Sequence, residues 1–191
     1  QIQWQRFCDL LWYHDDLGFW LDVSRMHLNS AALDELTPPL EQAFEAMKKL
    51  EAGAIANADE NRQVGHYWLR APQLAPDQAV GQHIAAEIKD IEQFGKAVIS
   101  GEIKSPTGQP FTDVLWIGIG GSGLGPLLMV RALQDSGNGL PFHFFDNVDP
   151  NGMSRVLGEL GDALRTTLVV TVSKSGGTPE PHLGMEQARH R

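Results

Sequence analysis

Two short apolar segments of this chain each lead into a glycine-rich turn and then into a stretch with helical character. Residues 114–119 precede the glycines of residues 120–125, and residues 167–172 precede the sequence SKSGGT at residues 173–178. Short β-branched apolar runs are typical of strands that are covered on both faces of a parallel sheet. Repeated strand–turn–helix units therefore restrict the fold to the α/β class.

A third strand and its helix lie between these two units. Residues 142–145 (FHFF) predict the strand, and apolar residues recur on one helical face at Met153, Val156, Leu157 and Leu160. The resulting order is β-α-β-α-β-α. Parallel strands with right-handed crossovers bring the loops after the strands to one edge, where open α/β sheets bind ligands. We expect residues 118–126 and 173–178 to share that edge.

The later loop carries groups that suit a phosphate. It offers three hydroxyls, one ammonium group, and a helix that we expect to begin with Thr178 as N-cap and Pro179 at the first position. The alternative is that these polar residues only form a strand-to-helix turn. The earlier loop favours anion binding, because its glycines can expose backbone amides and Ser122 adds a hydroxyl.

The earlier loop also satisfies the dinucleotide pattern G-x-G-x-x-G at residues 118–123, and Asp146 follows the next strand. A Rossmann site binds its pyrophosphate with a single glycine turn, however, and does not need the hydroxyl-rich loop of residues 173–178 after the third strand. We therefore favour a small phosphorylated ligand over a dinucleotide and predict no cofactor.

Residues 118–126 (GIGGSGLGP) and 173–180 (SKSGGTPE) together resemble the first sugar isomerase (SIS) domain of the phosphoglucose isomerase family. Residues 61–70 and 147–152 resemble further segments of that family, so the resemblance covers about residues 55–182. It implies an enzyme of glycolysis and gluconeogenesis that isomerises glucose 6-phosphate and fructose 6-phosphate, and that is a homo-oligomer in its full-length form.

The resemblance also implies the site. The phosphate would be held by Ser173, Lys174, Ser175 and Thr178. The sugar end would be lined by Gly121 and Ser122, and Glu180 would lie at the pocket edge. Lys174 has the alternative interpretation of a solvated loop lysine, and Glu180 that of a first-turn acid favoured by the helix dipole. The family's catalytic base lies in a second SIS domain. We therefore assign no catalytic residue here and expect the isolated 191-residue chain to be inactive.

The sequence departs from the family pattern in three respects. Many members carry threonines and a bulky residue where this chain has Ser175, Gly176 and Gly177. Members are also far longer and have a second SIS domain. In addition, this chain begins with Gln1 instead of methionine and stops about a dozen residues into a predicted helix, so we expect it to be an N-terminal piece of a larger enzyme. The competing hypothesis is a non-catalytic SIS-domain regulator that binds a sugar phosphate, which the downstream sequence would distinguish.

Composition excludes several other classes. The formal net charge of −9 argues against nucleic acid, which requires a basic face, and no segment approaches the ~20 apolar residues of a membrane helix. The seven histidines show no metal-binding spacing, so we predict no metal. The single Cys8 cannot form an internal disulfide, and the cytoplasm is the expected compartment.

We predict an α/β fold with helices on both faces of a parallel, incomplete SIS-type sheet, preceded by a mainly helical region. The helical region would cover residues 1–105, and the first SIS domain, truncated at its C-terminal end, residues 106–191. Helices are expected from Thr37-Pro38 to about Gly53 and over residues 76–100. Trp4, Trp12 and Trp20 recur every eight residues, roughly a helical face, and His143 is interpreted as a packed core histidine.

Overall fold

The computed structural model describes residues 2–133 and 139–190. The chain forms two compact units, Gln1–Ala86 and Glu87–Arg191. The elements of the first unit begin with a helix, a hairpin and a long helix: α1 (Ile2–Leu10), β1 (Leu11–His14), β2 (Phe19–Asp22) and α2 (Ser30–Glu51). A second hairpin and a short helix follow: β3 (Ile55–Asn57), β4 (Arg62–Gln63) and α3 (His66–Arg70). A 3₁₀ turn at Pro72–Leu74 leads to α4 (Gln78–Ile99).

The expectation of a continuous helical face for the early tryptophans is wrong. The helix α1 ends at Leu10, and Trp12 and Trp20 lie on the paired strands β1 and β2. The chain reverses at Gly18, whose φ of 58° suits glycine. Trp20 lies directly opposite Tyr13 with ring centroids 4.2 Å apart, a cross-strand aromatic pair that stabilises a hairpin.

Arg6 holds the segment that follows this hairpin. Its guanidinium donates hydrogen bonds to the backbone oxygens of Ser24 (2.8 Å), Met26 (2.5 Å) and Leu28 (2.7 Å). Ser24 in turn donates its N–H to Asp22 Oδ1 (2.8 Å), and hydrogen bonding by Ser24 lowers the pKa of Asp22. Arg6 therefore has a structural role in the first unit.

The two long helices test the predicted boundaries. The helix α2 begins at Ser30, earlier than the predicted Thr37-Pro38, because Asn29 caps it by accepting the Ala32 N–H at 2.8 Å. Two prolines are accommodated inside it, and it ends before Gly53 as expected. The prediction for residues 76–100 is confirmed by α4, which is followed by Gly101 at a φ of 75°.

The second unit contains the expected parallel sheet. Its strands alternate with α-helices: β5 (Asp113–Ile117), α5 (Gly121–Leu133), β6 (Phe142–Phe145), α6 (Pro150–Leu160), β7 (Thr167–Thr171) and α7 (Pro179–Arg189). A 3₁₀ helix at Gly161–Thr166 joins α6 to β7. The strand order is β6-β5-β7, and both pairings are parallel. Trp116 in the middle strand lies opposite Phe144 on one side and Val170 on the other. The predicted β-α-β-α-β-α order and α/β class are confirmed.

Apolar residues of the sheet and α6 form the core of this unit. Its buried members are Leu115, Ile117, Phe145, Val156, Leu157 and Leu160. The helix α7 approaches this core through a glycine, since a Cβ on Gly184 would lie 2.8 Å from Ile117 Cγ2. His143 is half-buried instead of fully packed, and its Nε2 lies 3.0 Å from Asp113 Oδ1 on the neighbouring strand.

Candidate functional site

The C-terminal ends of the three parallel strands lie side by side. Val172 donates its N–H to the Ile117 oxygen (2.8 Å), and Gly118 donates its N–H to the Phe145 oxygen (3.1 Å). Both bonds continue the sheet ladder just beyond the strand ends. The loops after β5 and β7 therefore start at the shared edge that parallel topology predicts.

Three hydroxyls converge in the loop after β7. Ser173 Oγ donates to Thr178 Oγ1 (3.1 Å), and Ser175 Oγ lies 3.4 Å from the same oxygen. The Gly176 N–H donates to Ser173 Oγ (3.1 Å), and the Gly177 N–H donates to Ser175 Oγ (3.2 Å). Gly176 has a φ of 72°, which lets the loop curl back onto its own side chains. The structure thus brings together three of the four residues expected to hold the phosphate.

The start of α7 agrees with the predicted cap in position but not in hydrogen bonding. Thr178 is the N-cap residue with Pro179 next, yet its hydroxyl makes no cap hydrogen bond to the helix. Proline also occupies position 181, so Glu180 has the one N–H among the first three helical residues. The helix start therefore lacks two of the four amides that a helix can offer to an anion, and side chains would have to supply more of the donors.

Lys174 and Glu180 flank the hydroxyl cluster. Lys174 is exposed between Ser173 and Ser175, and Glu180 is half-buried in the first turn of α7. An exposed ammonium group beside three hydroxyls suits a dianion, which it attracts as a compact charge while the hydroxyls donate hydrogen bonds.

The glycine turn after β5 differs from the predicted loop. The helix α5 begins already at Gly121, so Ser122 lies in its first turn. The amides of Ser122, Gly123 and Leu124 donate to the oxygens of Ile119 or Gly120 at 2.8–3.2 Å. Because these three amides already have acceptors, they are not the ligand donors that the glycine content suggested. Gly121 is exposed and Ser122 half-buried at the edge of the sheet.

The close approach of backbone to backbone explains several of these glycines instead. A Cβ on Gly118 would lie 2.6 Å from the Ser122 oxygen, and Gly120 has a φ of 57°. The glycines therefore allow a sharp strand-to-helix turn at the site. The clustering of glycines in the sequence indicates such a turn. The motif alone does not distinguish glycines needed for backbone packing from glycines that contact a ligand.

Among residues 2–133 and 139–190, no three His, Cys, Asp or Glu side chains group as metal ligands. No helix in the same ranges has the length and apolar character needed to cross a membrane.

Comparisons with known proteins agree on one family. A model of the family "Phosphoglucose isomerase" matches residues 22–191. A glucose-6-phosphate isomerase of Parasynechococcus marenigrum (strain WH8102) is 78% identical over 191 residues, which are 100% of this chain and 35% of that protein. One of Synechococcus sp. (strain CC9902) is 74% identical over 189 residues, covering 99% of this chain and 36% of that protein. The chain thus spans about a third of the length of these relatives.

A solved structure shows the same fold. The crystal structure of a hypothetical protein from Thermus thermophilus superposes with a TM-score of 0.55 at 29% sequence identity. The match covers 84% of this chain and 31% of the other.

Proposed function

The chain belongs to the phosphoglucose isomerase family, and from that premise we propose that it provides the phosphate-binding side of an isomerase for glucose 6-phosphate and fructose 6-phosphate. The observation that carries the proposal is the convergence of the Ser173 and Ser175 hydroxyls on Thr178 Oγ1 at the start of α7. Hydroxyl groups gathered at the carboxyl edge of a parallel sheet are suited to phosphate oxygens.

Each group would have a distinct task. On ligand binding, the Ser173, Ser175 and Thr178 hydroxyls would turn their hydrogens from one another to the phosphate oxygens, and Lys174 would offset the dianionic charge. Because Thr178 Oγ1 accepts from Ser173, its own hydroxyl hydrogen can be directed either to Ser175 Oγ, 3.4 Å away, or to a ligand. We propose that it turns to the ligand when the phosphate is bound.

The sugar would extend from the phosphate toward the neighbouring loop. Gly121 and Ser122 follow the strand β5, which pairs directly with β7, and would line the sugar end. Glu180, in the first turn of α7, would lie at the edge of this pocket. The reaction moves a proton between C1 and C2 through an enediol, so anchoring the phosphate places those carbons for a base. We propose that the base comes from a second SIS domain and that no metal or cofactor takes part.

Four wider assignments belong to the same proposal. The first SIS domain would begin at residue 106, after a mainly helical region of residues 1–105. The full-length protein would be a homo-oligomer, would act in the cytoplasm in glycolysis and gluconeogenesis, and would bind neither nucleic acid nor membranes.

A segment exchange tests the proposal. This chain would replace the matching third of the Parasynechococcus marenigrum relative, and the chimera would be assayed for fructose 6-phosphate isomerisation in a coupled reaction. We expect an active chimera that loses at least tenfold in kcat/KM when Ser173→Ala and Thr178→Val are combined, because two phosphate donors disappear. Ser154→Ala, an exposed serine on α6, is the matched control. An inactive chimera, or equal activity in all three proteins, would contradict the proposal.

A further inference from the structure

The helix α5 contains a proline that deprives one carbonyl of its donor. Pro126 lies four residues after Ser122 and inside the helix. In a regular α-helix the N–H of residue 126 would donate to the Ser122 oxygen, but proline has no N–H. The Ser122 carbonyl therefore lacks its normal helical partner at the turn that we assign to the sugar end.

A tryptophan on the preceding strand supplies the missing donor. Trp116 Nε1 lies 2.8 Å from the Ser122 oxygen, a hydrogen bond in a partly buried environment. Trp116 belongs to β5, the middle strand of the sheet, and lies between Phe144 and Val170 on its two neighbours. Because strands on both sides hold its backbone, the indole donor starts from a well-fixed position.

The same carbonyl lies in a tightly packed part of the turn. A Cβ on Gly118 would lie 2.6 Å from the Ser122 oxygen, and a Cβ on Gly123 would overlap the Gly118 oxygen. The Ser122 peptide is thus held between the backbone of Gly118 and the indole of Trp116. A shift of this carbonyl would turn the peptide plane and move Ser122 relative to the edge of the sheet.

We propose that Trp116 is a positioning residue for the sugar end of the site, acting through the hydrogen bond that Pro126 removes from the helix and the indole restores. The inference rests on the proposed function, because it assigns Ser122 to the substrate pocket. Trp116 acts through the Ser122 carbonyl and has no assigned contact with the substrate. It follows that Trp116 and Pro126 are energetically coupled, since either an indole N–H or a backbone N–H at residue 126 can satisfy that oxygen.

A double-mutant cycle in the chimera tests this coupling. Trp116→Phe keeps an aromatic ring but loses the N–H, and should lower kcat/KM for fructose 6-phosphate by about 3- to 10-fold, the net worth of one hydrogen bond. Pro126→Ala alone should stay within about twofold of the parent. The double variant should recover most of the loss, because residue 126 then has a backbone N–H that can donate to the Ser122 oxygen. Equal losses in Trp116→Phe and the double variant would overturn the proposal, as would no loss in Trp116→Phe.

Trp68 is the control, because it is a second tryptophan whose indole donates to a backbone carbonyl. Its Nε1 donates to the Glu51 oxygen at 3.0 Å in the first unit. Trp68→Phe should leave kcat/KM unchanged, and Pro126→Ala should not alter its effect. Coupling of Trp68 to Pro126 as strong as that of Trp116 would show a general stability effect and would overturn the proposal.

A readout that needs no substrate separates this inference from the proposed function. The indole N–H resonance of Trp116, identified by its loss in Trp116→Phe, should exchange slowly with solvent, and Pro126→Ala should shift it. If the chimera were inactive while this resonance stayed protected, the proposed function would fail and the hydrogen bond would stand. Calorimetry of fructose 6-phosphate binding would then test the positioning role. Trp116→Phe must weaken binding to the chimera, and adding Pro126→Ala to that variant must restore it. If the chimera were active but the indole exchanged freely, the inference alone would fail.

Discussion

Gly123 packs against the backbone of Gly118 so closely that a Cβ on Gly123 would overlap the Gly118 carbonyl oxygen. Neither backbone segment can shift easily to make room for a Cβ, because hydrogen bonds hold both. The Gly118 N–H is bonded to Phe145 on the adjacent strand, and the Gly123 N–H is bonded to the Gly120 oxygen. This contact explains why the strand-to-helix turn needs glycine at position 123 independently of any ligand.

Replacement of Gly123 should therefore destabilise the second unit. We expect Gly123→Ala to lower the free energy of unfolding by about 1–3 kcal/mol, the usual cost of overpacking. Gly125 is the matched control in the same helix, since a Cβ there meets no atom within 4 Å. Gly125→Ala should leave stability unchanged or raise it by up to about 1 kcal/mol. Urea unfolding followed by circular dichroism measures both, and equal stabilities would contradict the packing argument.

Loss of the Lys174 charge should weaken sugar-phosphate binding. A charged hydrogen bond is worth about 1.5–3 kcal/mol, and the exposure of Lys174 favours the lower value because water screens its charge. We expect Lys174→Met to raise the dissociation constant of fructose 6-phosphate about tenfold in the chimera, measured by isothermal titration. Lys89→Met removes an equal charge from an exposed position on α4 and should have little effect. An unchanged constant in Lys174→Met would place the phosphate elsewhere.

The ligand should be a sugar phosphate and not a dinucleotide. The hydroxyl cluster after β7 has no task in a Rossmann site, whereas it suits a single phosphate group. We expect millimolar fructose 6-phosphate to raise the melting temperature of the chimera, because a ligand that binds the folded state stabilises it. NAD at the same concentration should cause no shift. Stabilisation by NAD alone would revive the dinucleotide hypothesis.

The 191 residues alone should not catalyse isomerisation. We assign to them the phosphate-binding residues Ser173, Lys174, Ser175 and Thr178 but no catalytic base. A general base is typically worth about 10²–10⁴-fold in rate. Glu180 is a carboxylate next to these residues in the first turn of α7, so Glu180→Gln in the isolated chain tests whether it can act as the base. The coupled assay should show no turnover for the chain with or without this change. Turnover within tenfold of the chimera would contradict the assignment, and its loss in Glu180→Gln would identify the base.

The sequence predicted the parts of the fold that depend on local pattern. The strands β5, β6 and β7 were recognisable as short apolar runs, and α6 from the spacing of its buried face. Alternation of these strands with helices implies parallel pairing, because a crossover connection returns the chain in the same direction. The Thr178-Pro179 helix start follows from local chemistry in the same way.

The fold of the first unit was less predictable, because residue spacing there favours one element while turn and cap residues favour another. An eight-residue tryptophan spacing fits a helical face, but the turn at Gly18 and the pairing of Tyr13 with Trp20 decide in favour of a hairpin. The start of α2 depended on the side chain of Asn29, which outweighs the helix-start signal at Thr37-Pro38.

The residue types of the candidate site were determined by the sequence alone: serine, threonine and lysine after one strand, and glycines after another. Only the tertiary structure decided how those groups are used. It directed the Ser173 hydroxyl to Thr178, gave three amides of the glycine turn to backbone acceptors, and brought the Trp116 indole to the Ser122 oxygen. The physical reason is that a hydrogen bond requires donor and acceptor within about 3 Å at a suitable angle, and strand register and helix placement set that geometry.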